Sequence, residues 1–316
     1  MRELDLLQHI YRVNDDLPER ITIRPGDDMG AVRIGSCDVL VTVDQVTEGA
    51  HFVLGETPIE KIGRKAVVRN LSDVAAMAAW PVGAVVAAVL PKGLGAEKAR
   101  LLFDAMREAA REYECPLFGG DIAMGDGPLV ISVTVLAEPR GVVPLLRRGA
   151  RVGDIVCVTG QLGGSWDVVG GYTHHLDFQP RIELARHLAS HFDLHCMIDI
   201  SDGLARDLGH ICRASHVTAE LSLAGLPISP AAHRRAEREH VPAWRCALGD
   251  GEDYELCFTL ATEQAERLPD KREGVPISRV GIITRASGRD SDPMIRLRFP
   301  DGSEQDVDEL GWEHQG

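Results

Sequence analysis

Two rhythms of apolar positions alternate along the chain. Residues 21–24, 31–34 and 39–43 are apolar runs of strand length, and residues 83–90 form a nearly unbroken one, the pattern of a strand covered on both faces. Between these runs, residues 4–13, 57–79 and 96–114 repeat apolar positions at helical spacing. Thr57-Pro58-Ile59-Glu60 reads as a helix start, with Thr57 as cap, Pro58 in the first position and Glu60 completing a capping box. Small residues at 74–79 imply close packing, and Trp80-Pro81 is expected to stop that helix. Residues 117–121 and 129–137 read as further strands. Strands interleaved with helices indicate βα units and a mixed sheet. Residues 138–150, with Pro, Gly and paired Arg, make the best boundary, which divides the chain into 1–138 and 139–316. In the second half, residues 154–159, 218–223, 254–260 and 280–284 read as strands. Residues 181–191 and 231–240 read as helices, and the tail from 302 to 316 is polar apart from Leu310 and Trp312.

Candidate chemistry sits where apolar runs end. In Met197-Ile198-Asp199-Ile200-Ser201-Asp202-Gly203, a strand end passes into a helix marked by Leu204, Leu208, Ile211 and Cys212, with Ser201 or Asp202 expected as N-cap. Capping explains one acid, whereas two acids and a hydroxyl at one turn repel unless cations neutralise them. A capping turn with solvated acids is the plainer alternative for this stretch alone. The pattern recurs, however. Asp27-Asp28 follows a glycine, Asp44 closes an apolar run, and Asn70 and Asp73 share a face of an apolar helix. Gly119-Gly120-Asp121 ends another run, and residues 249–255 form the densest acid cluster. Acids at several segment ends can converge on one site.

Composition narrows the classes. A chain of 316 residues can hold two domains with real cores. A net charge of −14 argues against a nucleic-acid or anionic-membrane partner and suits a site that loads divalent metal. Seven scattered cysteines with no C-x-x-C pair point to reduced thiols and a cytoplasmic setting, and no signal peptide or membrane-spanning run is expected. The sequence contains no P-loop motif, no dinucleotide fingerprint and no zinc spacing. Carboxylates, glycines and a few arginines remain, a set suited to phosphate handled through Mg²⁺.

Taken together in order and spacing, these motifs resemble the thiamine-monophosphate kinase family, part of the superfamily that includes aminoimidazole ribonucleotide synthetase and selenophosphate synthetase. The resemblance rests on Pro25-Gly26-Asp27-Asp28, Val41-Thr42-Val43-Asp44, Glu48-Gly49-Ala50-His51-Phe52 and the run from Asn70 to Met77. Gly119-Gly120-Asp121, Arg147-Arg148-Gly149-Ala150, the run from Ile198 to Leu204, and Gly251-Glu252-Asp253-Tyr254-Glu255-Leu256 complete it.

The resemblance implies an α/β N-terminal domain whose mixed sheet forms a barrel in a homodimer, and an α+β C-terminal domain. It implies direct phosphoryl transfer from ATP to thiamine monophosphate. By the same resemblance Asp28, Thr42, Val43, Asp44, Asp73, Asp121, Asp199 and Asp202 are the Mg²⁺ ligands, with Asp44, Asp121 and Asp202 central to catalysis. Gly120, Asp121, Arg147 and Ser201 are ATP contacts, and His51, Glu252 and Trp312 substrate contacts.

Two positions depart from the family pattern. Val43 stands where Thr or Ser is usual and could ligate only through its carbonyl. Gly164-Ser165-Trp166 lacks the Asp expected before the Ser, and Trp166 stands where small residues are usual. Asp27 is expected to cap a turn while Asp28 ligates, Asn70 to support a ligand, and Asp207 to face solvent or cap a neighbour. Two other readings stay open at this point: a superfamily synthetase acting on an amide, and a non-catalytic nucleotide or thiamine-phosphate sensor. A selenide-accepting version needs a reactive Cys before the first acidic motif, and Cys37 lies after it.

Overall fold

The computed structural model describes residues 3–14, 16–169, 172–286 and 294–312. The polar tail beyond Trp312 therefore lies outside the described residues. After helix α1 (Glu3–Val13), β1 (Ile21–Ile23), β2 (Gly30–Ile34) and β3 (Cys37–Thr47) form an antiparallel meander. Helix α2 (Ile59–Ala76) follows, then β4 (Trp80–Pro91), α3 (Ala96–Glu112), β5 (Leu117–Gly125) and β6 (Val130–Glu138). The sheet order is β1-β2-β3-β6-β4-β5, and only β4 and β5, joined through α3, run parallel. Period-two burial sets its faces: Ile131, Val133 and Val135 of β6 are fully buried toward the helices. Val67, Val68, Leu71, Val74 and Ala75 of α2 are fully buried as well.

The second half adds β7 (Ile155–Thr159), a small hairpin of β8 (Val168–Val169) and β9 (Tyr172–Thr173), and helices α4 (His174–Asp177) and α5 (Ile182–His191). Next come β10 (Leu194–Asp199), α6 (Leu204–Ser215), β11 (Val217–Ser222), α7 (Pro230–Glu239) and α8 (Ala243–Gly249). The last elements are β12 (Leu256–Leu260), α9 (Thr262–Ala265), β13 (Lys271–Arg272), β14 (Val275–Arg285), β15 (Ile295–Arg298) and β16 (Glu304–Asp306). The second sheet runs β10-β12-β7-β14-β11-β15-β16, antiparallel except for β11 and β15, with β13 on β14. Leu184, Leu188 and Phe258 pack into the same apolar core as α2, so the helix that faces the first sheet also touches the second half. No helix among the described residues is long and apolar enough to cross a membrane.

Three sequence expectations need correction. Thr57 does not cap α2: the helix starts at Ile59 behind Pro58, and the Thr57 hydroxyl accepts the Val53 N–H instead. Trp80-Pro81 does not stop the helix: α2 already ends at Ala76 with Met77 as its C-cap, and Trp80 and Pro81 belong to β4. Neither Ser201 nor Asp202 caps α6, which begins after Gly203 with no side-chain cap.

Candidate active site

Asp28, Asp73 and Asp199 bring carboxylate oxygens to within 4.8 Å of one another. They come from three separate elements: the β1–β2 turn, the last turn of α2 and the end of β10. Asp199 and Asp28 are buried. Burial, compounded by the neighbouring carboxylates of Asp44, Asp199 and Asp28, pushes Asp73 well above the usual carboxylate range. Burial and the charge of Asp28 push Asp199 up to about 7. Burial also raises Asp28, against the opposing guanidinium of Arg147. Partners hold each acid in place. The Ser72 hydroxyl donates to Asp199 at 2.6 Å and that of Thr42 to Asp73, while Arg147 Nε reaches Asp28 at 3.0 Å. Arg147 N–H donates to Asp27 at 2.7 Å, so Asp27 fixes the Arg147 loop while Asp28 faces the cluster.

One buried oxygen, Asp28 Oδ2, has no hydrogen-bond partner. An orphaned carboxylate oxygen beside two further acids is a poor arrangement for an empty interior and a good one for a hard divalent cation. The donor set is all oxygen, as Mg²⁺ requires.

Asp44 lies beside this group, since its charge acts on both Asp73 and Asp199. Arg69 Nε holds its carboxylate at 2.9 Å, and Asn70 accepts its N–H at 2.9 Å, so Asn70 orients the strand as a supporting residue. Lys65, Arg69 and Asp73 recur every four residues and form one polar stripe along α2.

Next to the acids, His51, Arg69, Trp166, Ser201, Asp202 and Glu252 line a cavity of about 50 Å³ together with Ala50, Asp250, Tyr254 and Trp312. Two turns build its floor. Glu252 N–H bonds to Ser201 O and Tyr254 N–H to Ile200 O, both at 2.7 Å. Trp312 N–H bonds to Asp202 O at 2.9 Å and so holds Trp312 against that turn. Gly203 (φ +107°) closes the first turn, where an added Cβ would stand 2.8 Å from Leu248 O. Asp207 is buried and not solvated. Its carboxylate accepts the Asp202 N–H at 3.0 Å and so caps the turn.

Under the cavity, the fully buried Lys65 donates to Glu252 at 2.8 Å and to the His51 carbonyl at 3.2 Å, and its Nζ lies 2.8 Å from His175 Nδ1. Burial would raise Glu252, but Lys65 and His175 outweigh it and hold the carboxyl down at about 2. Burial, with Arg69 adding to it, lowers His51 to about 4. The neutral His51 accepts the Thr47 N–H on Nδ1 at 3.1 Å, which puts its proton on Nε2.

Not every sequence candidate joins the cluster. Asp202 pairs with Arg206 at 3.3 Å and faces the cavity, outside the three-carboxylate group. Val43 is 60% exposed, on the face of β3 opposite Thr42. Asp121 pairs with Ala87, and Ala87 pairs with Ser132, which pairs with Gln45. That row lies on the sheet face opposite Asp44, so within one chain Asp121 cannot reach the other acids. Gly120 sits on the same outer strand, where an added Cβ would lie 1.9 Å from Val86 O. Lys65, Arg69, Ser72, Trp166 and His175 escaped sequence reasoning as site residues. The four-residue repeat along α2 was the signal that could have found the first two.

Known proteins resemble this chain in sequence and in fold. Residues 26–138 match the model described as "AIR synthase related protein, N-terminal domain". The thiamine-monophosphate kinase of Rhodopirellula baltica is 42% identical over 262 residues, covering 82% of this chain and 81% of that protein. The chain belongs to the thiamine-monophosphate kinase family. The Escherichia coli K12 member is 33% identical over 317 residues, covering 92% and 90%. Among solved structures, the family member described as "AaThiL complexed with AMPPCP and TMP" superposes with a TM-score of 0.82 at 28% identity, covering 99% and 97%.

Proposed function

We propose that this chain phosphorylates thiamine monophosphate to thiamine diphosphate, with ATP as donor, by direct in-line transfer. The observation that carries the reading is the group of three carboxylates, two of them buried and one with an orphaned oxygen, beside an aromatic and acidic cavity in a chain of this family. Asp28, Asp73 and Asp199, with Asp44 alongside, would hold Mg²⁺. When bound, the cations supply positive charge to the polyphosphate as the phosphoryl group moves. Arg147, already beside Asp28, steadies the phosphate end, and Ser201 and Asp202 carry the turn between that end and the cavity. Glu252, His51 and Trp312 contact the acceptor. Phosphoryl transfer asks the protein mainly to position groups and neutralise charge, and these residues do both.

The working unit in this reading is a homodimer joined through the first sheet. Strand β5 forms one edge of that sheet and is exposed almost throughout, with Phe118 at 62%, Ile122 at 56% and Met124 at 60% exposure. An exposed apolar edge strand invites a partner. Pairing there sets Gly120 and Asp121 at the interface, which gives them a route to a nucleotide that their own chain denies them. Residues 1–138 and 139–316 are the two domains of each subunit. The free thiols, six of the seven buried, suit a cytoplasmic setting.

The test is an assay of purified protein with ATP, Mg²⁺ and thiamine monophosphate. Thiamine diphosphate and ADP in equal amounts are expected, and no thiamine diphosphate at any Mg²⁺ concentration would overturn the reading.

A further inference from the structure

The cavity beside the acids has one aromatic wall whose indole is held from behind. Trp166 lines it, follows the glycine turn of residues 163–164, and remains 41% exposed. Its indole is not loose. One face stacks on His175 with ring centroids 3.8 Å apart and planes 22° from parallel, and Lys65 Nζ lies 5.0 Å from the ring centre. His175 is buried and is reached by Lys65 at 2.8 Å, so the ring is backed by a fixed polar stack. The part of the indole left uncovered looks into the cavity, with Trp312 in the same lining and the Glu252 carboxylate between the lysine beneath and the cavity above.

A flat aromatic wall beside an ionised carboxylate recognises a planar cationic ring. The proposed acceptor carries one in its thiazolium. We propose that Trp166 is a specificity-determining residue of this chain, whose indole stacks on the cationic ring of the acceptor, and that His175 and Lys65 are positioning residues that hold the indole and Glu252 in place. This inference rests on the kinase reading above.

The test compares wild type, Trp166→Ala and Trp166→Phe in the phosphotransfer assay, with KM measured for each substrate. Wild-type turnover of thiamine monophosphate is the control on the kinase reading, and its absence would sink that reading and this one with it. Given turnover, Trp166→Ala should raise KM for thiamine monophosphate by ~10-fold, the scale of one desolvated cation–π contact. KM for ATP and kcat should stay within about twofold, as expected when a contact equal in ground and transition states is removed. Trp166→Phe should recover most of the loss, because a smaller aromatic face remains. An unchanged KM for thiamine monophosphate in Trp166→Ala would refute the contact while leaving the kinase reading intact. A parallel loss in both KM values and kcat, not relieved by Phe, would show that Trp166 only supports the fold and would refute it equally.

Discussion

Lys65 shows how one side chain couples packing to recognition. A fully buried lysine is stable only when paired, and its donors go to Glu252, the His51 carbonyl and His175. Lys65→Met would leave Glu252 short of its countercharge, at a cost of about 3–5 kcal/mol. The expected result is a large fall in the urea midpoint and a raised KM for the acceptor, and wild-type values of both would contradict the pairing. Asp199 sets a pH dependence. Its pKa rises from 3.8 to about 7 on folding, so across that window the native chain holds a proton that the unfolded chain has released. Stability of the cation-free protein should therefore fall as pH rises through it. Thermal melts in chelator should show the decline, Asp199→Asn should make it shallower while the raised Asp28 and Asp73 keep part of it, and added Mg²⁺ should stabilise wild type more near neutral pH than in acid. An equal Mg²⁺ effect at both ends would count against the cluster. Asp28 and Asp199 were legible in the sequence because a glycine and a strand end flag them, and Asp73 because it stands as a polar residue in an apolar helix. Lys65 and His175 were not, since a lysine inside an amphipathic helix reads as a solvated position until the second half of the chain is folded against it.

Among the elements, the strand–turn–helix of β10 and α6 is the most exacting. It needs Gly203 at φ +107°, and the glycine is hemmed in by the backbone at Leu248. Gly203→Ala should cost about 1–3 kcal/mol of backbone strain and shift the turn that carries Asp199 and Asp202. A lowered denaturation midpoint together with reduced turnover is the expected reading, and an unaltered midpoint would show that the turn tolerates a side chain. Hydrophobic rhythm located most strands and the long helices, because period-two and helical spacing survive in any tertiary setting. It misplaced the ends of α2 and α6, because Thr57 and Asp202 have capping chemistry but the chain spends it elsewhere. The short β15 and β16 carry too few residues to show a period.

At the scale of the molecule, two sheets and the helix between them bring distant acids together, while leaving β5 bare along one edge. Asp121 was expected beside the other ligands, and strand register puts it on the far face of its own sheet. Sequence order cannot reveal a face, since neighbouring positions in a strand point opposite ways. If the proposed homodimer joins through this edge, Ile122→Lys should yield a smaller sedimentation coefficient than wild type and loss of turnover, and a fully active monomer would exclude the shared arrangement. In the proposed reading, Asp28, Asp73 and Asp199 together hold divalent cations for a bound nucleotide. The most direct measurement is a Mn²⁺ titration followed by electron paramagnetic resonance, with a non-hydrolysable ATP analogue present, on wild type and on Asp73→Asn. Wild type should bind Mn²⁺ tightly only when the nucleotide is there, and the variant should bind it at least ~10-fold more weakly, in line with loss of a charged ligand. Equal Mn²⁺ binding in the two proteins would mean that Asp73 holds no cation.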